Sequence, residues 1–270
     1  MRPRNRGASL VELAVGVAIF MLLSLLMVAA LKTGNQVWTR SMASSSGQTE
    51  LRKAYSSLSS DLRRSRFDRV ARRTVPASLG GGGFDGDAIW FLTCEDPNTG
   101  LMMKKADGSA FWQRNILYYT IVPTGHNALY GFTCGGGADA DGYDDRCPHK
   151  MLIRQVIDLP PATNPADETT EEPLLTAAQV APYLIAPVGF DVSGIVGPGT
   201  EQVEVRAHSL LCFKTALAPD ANFPGEVLVD LRAARIQEAR RAVQVGSAPL
   251  DGYDISLEFS VFPAPAPPAP

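Results

Sequence analysis

The stretch "RNRGASLVELAVGVAIFMLLSLLMVAALK" (residues 4–32) decides the architecture. Residues 13–31 carry no charged side chain, and at about 1.5 Å per residue they make a helix about 28 Å long, close to the thickness of a bilayer core. Arg2, Arg4 and Arg6 precede the run, so the positive-inside rule keeps the N-terminus cytoplasmic and sends the rest of the chain across. Glu12 stands at the edge of the apolar run, where a carboxylate is unfavourable unless something answers its charge. A cleaved secretory signal competes with this reading, with Val28, Ala29 and Ala30 as the small residues of a cut site. Against it, the apolar run is longer than such a signal needs, and Glu12 directly before it is unusual.

Beyond Lys32 the helical pattern continues. Leu51, Tyr55, Leu58 and Leu62 form a one-sided apolar stripe, with Arg52, Lys53, Arg63, Arg64 and Arg66 largely off it. Gly34, Gly47 and the run Ser44-Ser45-Ser46 weaken the middle of this helix and are places for a bend. "SLGGGG" (78–83) is a flexible junction, and strand-like segments follow at 87–94, 110–122, 150–158, 187–195, 200–214 and 253–262, several alternating apolar and polar residues. Residues 174–185 are unsettled, and 226–244 has the pattern of a strand entering a helix. Residues 159–173 suit an exposed loop. The end "FPAPAPPAP" is polyproline-like and unpacked. The fold class is therefore α+β: a long N-terminal α-helix packed on a β-rich, antiparallel-sheet head. The expected boundaries are 1–7 leader, 8–31 membrane helix, 32–73 amphipathic continuation, 74–261 head and 262–270 tail.

The net charge is −3, with 25 basic and 28 acidic residues. The basic residues concentrate in the leader and at 50–73, and the head is acidic, which argues against nucleic acid as the main partner. Four cysteines, Cys94, Cys134, Cys147 and Cys212, all follow the apolar segment. In an exported head they suggest two disulfides, although four cysteines allow three pairings. Cys134 with Cys147 closes a short loop, worth up to about 3 kcal/mol, and Cys94 with Cys212 would tie two strands together.

The segment "RGASLVELAVGVAIF" resembles the N-terminal motif of type IV pilins and type II secretion pseudopilins. The resemblance implies a cut by prepilin peptidase after Gly7, a mature chain starting at Ala8, and Glu12 as the fifth mature residue. Ala8 departs from the Phe or Met usual at that place; N-methylation of its amine remains part of what the family implies. The carboxylate of Glu12 would pair with the freed amine of a neighbouring subunit, which relieves two charges that are each costly in apolar surroundings. The larger head and "WQRNILYY" (Trp112, Arg114, Leu117, Tyr118, Tyr119) are similar to J-type minor pseudopilins and to W-type minor pilins. The implied partners are prepilin peptidase, other minor and major pilin-like subunits and the inner-membrane assembly platform. The implied location is the bacterial inner membrane, single-pass with a periplasmic head, and then a periplasmic filament.

Little else in the chain suggests chemistry. Asp139, Asp141 and Asp144 around Gly142 have part of a calcium-loop pattern, and related pseudopilins use calcium, but no glutamate closes the loop. A solvated acidic turn is the simpler reading. His126, His149 and His208 show no metal-ligand spacing; Cys147-Pro-His149 near Cys134 hints at zinc, but an oxidising compartment favours the disulfide. There is no nucleophile elbow, phosphate loop or dinucleotide fingerprint, so no cofactor and no enzyme activity are expected. A membrane-tethered periplasmic binding protein or enzyme is the reading from another class.

Overall fold

The structure, a computed structural model, describes residues 9–96, 99–131, 133–234 and 254–264. One helix, α1 (Leu10–Arg63), runs without interruption from the apolar segment into the basic stretch. At about 1.5 Å per residue its 54 residues extend about 81 Å. It ends at Arg63 rather than at 73. A 3-10 turn at Phe67–Arg69 follows, and Val70–Val75 forms the edge strand β1, where Val70 and Val75 are buried and the arginines between them are not. β-branched residues at both ends and a partner strand outweigh the helix propensity of the arginines.

Six further strands follow: β2 (Gly86–Thr93), β3 (Arg114–Ile121), β4 (Lys150–Ile157), β5 (Thr200–Leu217), β6 (Val227–Ala234) and β7 (Asp254–Val261). They lie side by side in chain order, each antiparallel to the next, as one seven-stranded sheet. Two short helices, α2 (His126–Tyr130) and α3 (Ala177–Val180), sit in the connections. The start of β2 also reaches β5: Asp87 Oδ2 accepts from the Thr215 N–H at 2.6 Å, and Arg72 lies 3.5 Å from the same carboxylate.

The central strands are covered on both faces, which explains why β2 and β3 are almost wholly buried. Ile89, Phe91 and Tyr118 face the helix; Ala88, Trp90, Leu117 and Tyr119 face the opposite way. On the helix side, the residues that pack are Leu51, Ala54, Leu58 and Leu62. The sequence stripe named Tyr55 in place of Ala54; Tyr55 lies at the rim, 37% exposed, with its ring edge-on to Phe259 at 4.7 Å. The expected weakness at Gly47 has a packing reason, because a Cβ there would come 3.0 Å from Ile255 Cδ1 on β7. Polar contacts fix the register of helix on sheet. Asp61 accepts from the Tyr118 hydroxyl and from Arg154 Nε, both at 2.7 Å, while Glu50 takes the His208 N–H at 3.0 Å and Lys53 at 2.7 Å. Part of the basic stretch is thus answered within the chain.

The other face is covered by the long β4–β5 connection. Residues 187–195, expected as a strand, form turns with isolated bridges, and Ile195 is buried against the sheet. Pro187, Gly189 and Gly194 interrupt what alternation there is. Within 174–185, Thr176 caps α3 in a capping box with Gln179, and Tyr183 follows in a 3-10 turn. The carbonyls of this connection accept from ring groups of the sheet: Trp90 Nε1 donates to Leu175 O at 2.7 Å and the Tyr119 hydroxyl to Ile185 O at 2.8 Å. Glu172 is buried, accepting from Asn115 at 2.8 Å and from the Leu159 N–H at 3.2 Å, and burial pushes its carboxyl up to about 7. Of the proline-rich end, Ala264 donates to Ser65 O and accepts from the Phe67 N–H, so the tail begins docked to the end of the helix. Of the helix expected over 232–242, residues 232–234 are instead the end of β6, where the ladder to β7 outweighs Ala-Arg helix propensity, and the rest lies outside the described residues.

Candidate functional site

Two places carry the candidate residues: the start of α1 and the β3–β4 connection. At the first, Ser9 is the N-cap and forms a capping box with Glu12. The Ser9 N–H donates to Glu12 Oε2 at 2.9 Å, and the Glu12 N–H donates to Ser9 Oγ at 3.2 Å. The pattern Ser-x-x-Glu is legible in the sequence, although the acid there was read only as a group needing a partner subunit. Its carboxylate therefore has a local donor and sits at the positive end of the helix dipole. It is also open on one side. Gly16 lies one turn on, a Cβ there would meet nothing within 4 Å, and Glu12, Leu13, Gly16, Val17 and Phe20 line a shallow groove. Gly7 and Ala8 lie outside the described residues.

The apolar half of α1 touches none of the head. Leu10 is 84% exposed, Phe20 70% and Leu25 68%, and no residue of its most apolar window is buried. By length and composition this helix can cross a membrane. An exposed apolar surface of this extent in water would drive association, so it requires a lipid or protein environment.

The second place is built by two glycine-rich segments. Residues 80–83 and 135–137 pack backbone on backbone: a Cβ on Gly136 would lie 2.0 Å from Gly80 O, so only glycine fits there. The segment at 78–83 is therefore docked, through Phe84, whose N–H donates to Gly142 O at 2.9 Å. This contact closes the loop that carries Cys134 and Cys147. Their sulfurs are 2.6 Å apart, so the structure brings the first expected cysteine pair together. His149 Nδ1 lies 3.4 Å from Cys134 Sγ, and the rings of His149 and His126 are 5.2 Å apart. The four potential ligand atoms of His126, Cys134, Cys147 and His149 all lie within 4.8 Å of one another. Contact with the Cys147 thiol, and then with His149, lowers the Cys134 thiol, while Cys147 is pushed up. The sequence reading found no metal spacing among the histidines and missed His126, which the turn at Pro123–Gly125 folds back onto the cysteines. The spacing H-x7-C-x12-C-x-H was the available signal, and it is weak without that turn.

The second expected pair is not brought together. Cys94 follows the last residue of β2 and packs on Met102 Sδ at 3.6 Å; Cys212 is in β5 opposite Arg232, its sulfur 3.9 Å from Asp230. It is the opposite end of β2, at Gly86 and Asp87, that meets β5. The length of a strand, at about 3.3 Å per residue, separates the two sulfurs, far beyond disulfide reach. Both are buried thiols, and burial raises each of them, Cys212 to about 12.

The acidic loop is held by protein cations. Asp139 pairs with Arg146 at 3.0 Å, Lys214 lies between Asp141 and Asp145, and Arg232 reaches Asp145. Asp144 accepts from the N–H groups of Arg146 and Gly137. With these partners Asp139, Asp141 and Asp144 do not converge on a calcium position among the described residues. No family model, curated protein or solved structure matches the chain.

Proposed function

We propose that the chain is a minor pilin-like subunit of a type II secretion pseudopilus, cut by prepilin peptidase after Gly7 and assembled at or near the filament tip. The observation that carries this reading is the division of α1 into two parts. Its first half is apolar, unburied and headed by Glu12, and its second half is built into a sheet-based head. A binding protein tethered by a generic anchor could use the Glu12 carboxylate only as the helix cap it already is, and has no use for a helix continuous from membrane to head. In this scheme the apolar half stores the subunit in the inner membrane and later lies in the filament core. Glu12 sets register against the amine of Ala8 in a neighbouring subunit. The head, with its net acidic surface, meets other minor and major subunits, and the assembly platform drives extrusion. It is a structural role, not an enzymatic one.

Deleting the gene in its own host tests the assignment. The expected result is loss of protein secretion with surface-pilus motility retained. Loss of twitching with secretion intact would place the subunit in a type IV pilus as a W-like minor pilin, and no effect on either would oppose any filament role.

A further inference from the structure

We infer that, with both thiols reduced, His126, Cys134, Cys147 and His149 form a closed Cys2His2 site for a zinc ion. The four side chains converge from one β3–β4 connection, with every ligand atom within 4.8 Å of the others. Two thiolates and two imidazoles are the donor set of structural zinc. The cysteine pair alone does not explain the histidines. A disulfide needs no imidazole near it, yet His126 is 9% exposed and His149 fully buried, and His149 turns Nδ1 toward the Cys134 sulfur.

His126 carries the second, independent observation. Its Nδ1 is 3.1 Å from Pro123 O, and a carbonyl only accepts, so the proton sits on Nδ1. That leaves the lone pair on Nε2, which is buried and has no hydrogen-bond partner among the described residues. A buried imidazole nitrogen with a lone pair and no donor facing it is costly, and a cation held jointly with the two sulfurs and His149 would satisfy it. The Nδ1–H to carbonyl bond is also the usual outer contact that orients a metal-binding histidine. With zinc–sulfur bonds of about 2.3 Å in a tetrahedron, the two sulfurs would stand about 3.8 Å apart. They are at 2.6 Å, so binding opens the pair by about 1 Å, a movement for which Gly135, next to Cys134 and with nothing within 4 Å of a Cβ there, leaves room. Both thiols give up their protons to solvent as the ion enters. The bound ion would staple the glycine-rich loop to the start of β4, the same work that a Cys134–Cys147 disulfide does in the oxidised form. The two states are therefore alternatives for one loop.

The test uses the full chain in detergent, reduced with a phosphine under anaerobic conditions and titrated with zinc alone, with cobalt as a spectroscopic probe. The expected result is one zinc per chain, a higher melting temperature than the metal-free protein, and a cobalt spectrum with thiolate charge-transfer and tetrahedral bands. His126→Ala, which removes a ligand, is expected to weaken binding by more than the roughly 10–100-fold that loss of an outer-shell partner costs. Should that variant misfold, His126→Cys keeps a ligand and is expected to retain zinc while intensifying the cobalt–thiolate band. Cys94→Ser, just past the end of β2 that lies away from β5, is expected to bind as the wild type does. Failure of the reduced wild type to bind zinc, or binding undiminished in His126→Ala, overturns the site. None of these outcomes depends on the filament reading.

Discussion

Glu12→Ala is expected to leave the protein in the membrane fraction and to remove it from filaments. Insertion depends on the apolar run of α1, which the substitution only lengthens, so the membrane pool is unchanged or larger. Assembly depends on the charge. In the single chain the carboxylate is held by the Ser9 N–H, a neutral donor, and the groove beside Gly16 leaves it reachable. A neighbouring amine replaces a neutral hydrogen bond with a charge-assisted one, of roughly twice the strength. The capping box complicates a test with alanine alone, because loss of a cap costs about 0.5–2 kcal/mol in its own right. Two companion variants separate the roles. Glu12→Gln keeps an oxygen for the Ser9 N–H and loses the charge; Ser9→Ala loses the serine half of the box and keeps the charge. Filaments sheared from cells and probed for this subunit are expected to lack Glu12→Gln and to contain Ser9→Ala. The reverse pattern would make Glu12 a helix cap and nothing more.

Leu58→Ala is expected to destabilise the head by about 2–5 kcal/mol, the range for a large-to-small change at a fully buried site. Leu58 lies at the centre of the face that α1 presents to the sheet, among Ala54, Leu62, Phe91 and Tyr118. The Asp61 clamp to Tyr118 and Arg154, one turn away, holds the helix in place and limits collapse around the cavity. The same truncation at Leu26, which is 62% exposed on the membrane half, removes no contact with the head. Denaturant midpoints of the two variants in detergent, monitored by tryptophan fluorescence, are expected to fall for Leu58→Ala and to stay at the wild-type value for Leu26→Ala. Equal shifts would mean that the two halves of the helix are not energetically separate.

The elements with strong local signals were legible before any coordinates. The uncharged run at 13–31 and the stripe at Leu51, Leu58 and Leu62 define one long helix, and the short continuous apolar run in "DAIWFLTC" and the alternation in "YDISLEFSVF" define strands. What escaped depends on distant chain. β1 is an arginine-bearing edge strand that exists because β2 offers it a ladder. Residues 187–195 have strand-like composition but lie on the back of the sheet as turns, because Pro187, Gly189 and Gly194 break the alternation while Ile195 packs on the sheet. Ala54 displaced Tyr55 because the close approach of helix and sheet favours a small side chain at the centre and puts a large one at the rim. At the candidate sites, Cys134 and Cys147 are near enough in sequence for their meeting to be anticipated. His126 required knowledge of the intervening turn. The separation of Cys94 from Cys212 required the direction in which β2 crosses β5, and that is a property of the whole sheet.

The mass of the mature N-terminal peptide from native membranes tests the central claim most directly. Processing after Gly7 gives a chain that begins at Ala8, unmodified or carrying one methyl group on its amine, and that is the expected result. A chain that keeps Arg2, Arg4 and Arg6 would leave Glu12 without a newly made amine in the next subunit, one cut near Ala30 would have lost Glu12 altogether, and either would contradict the pilin-like assignment.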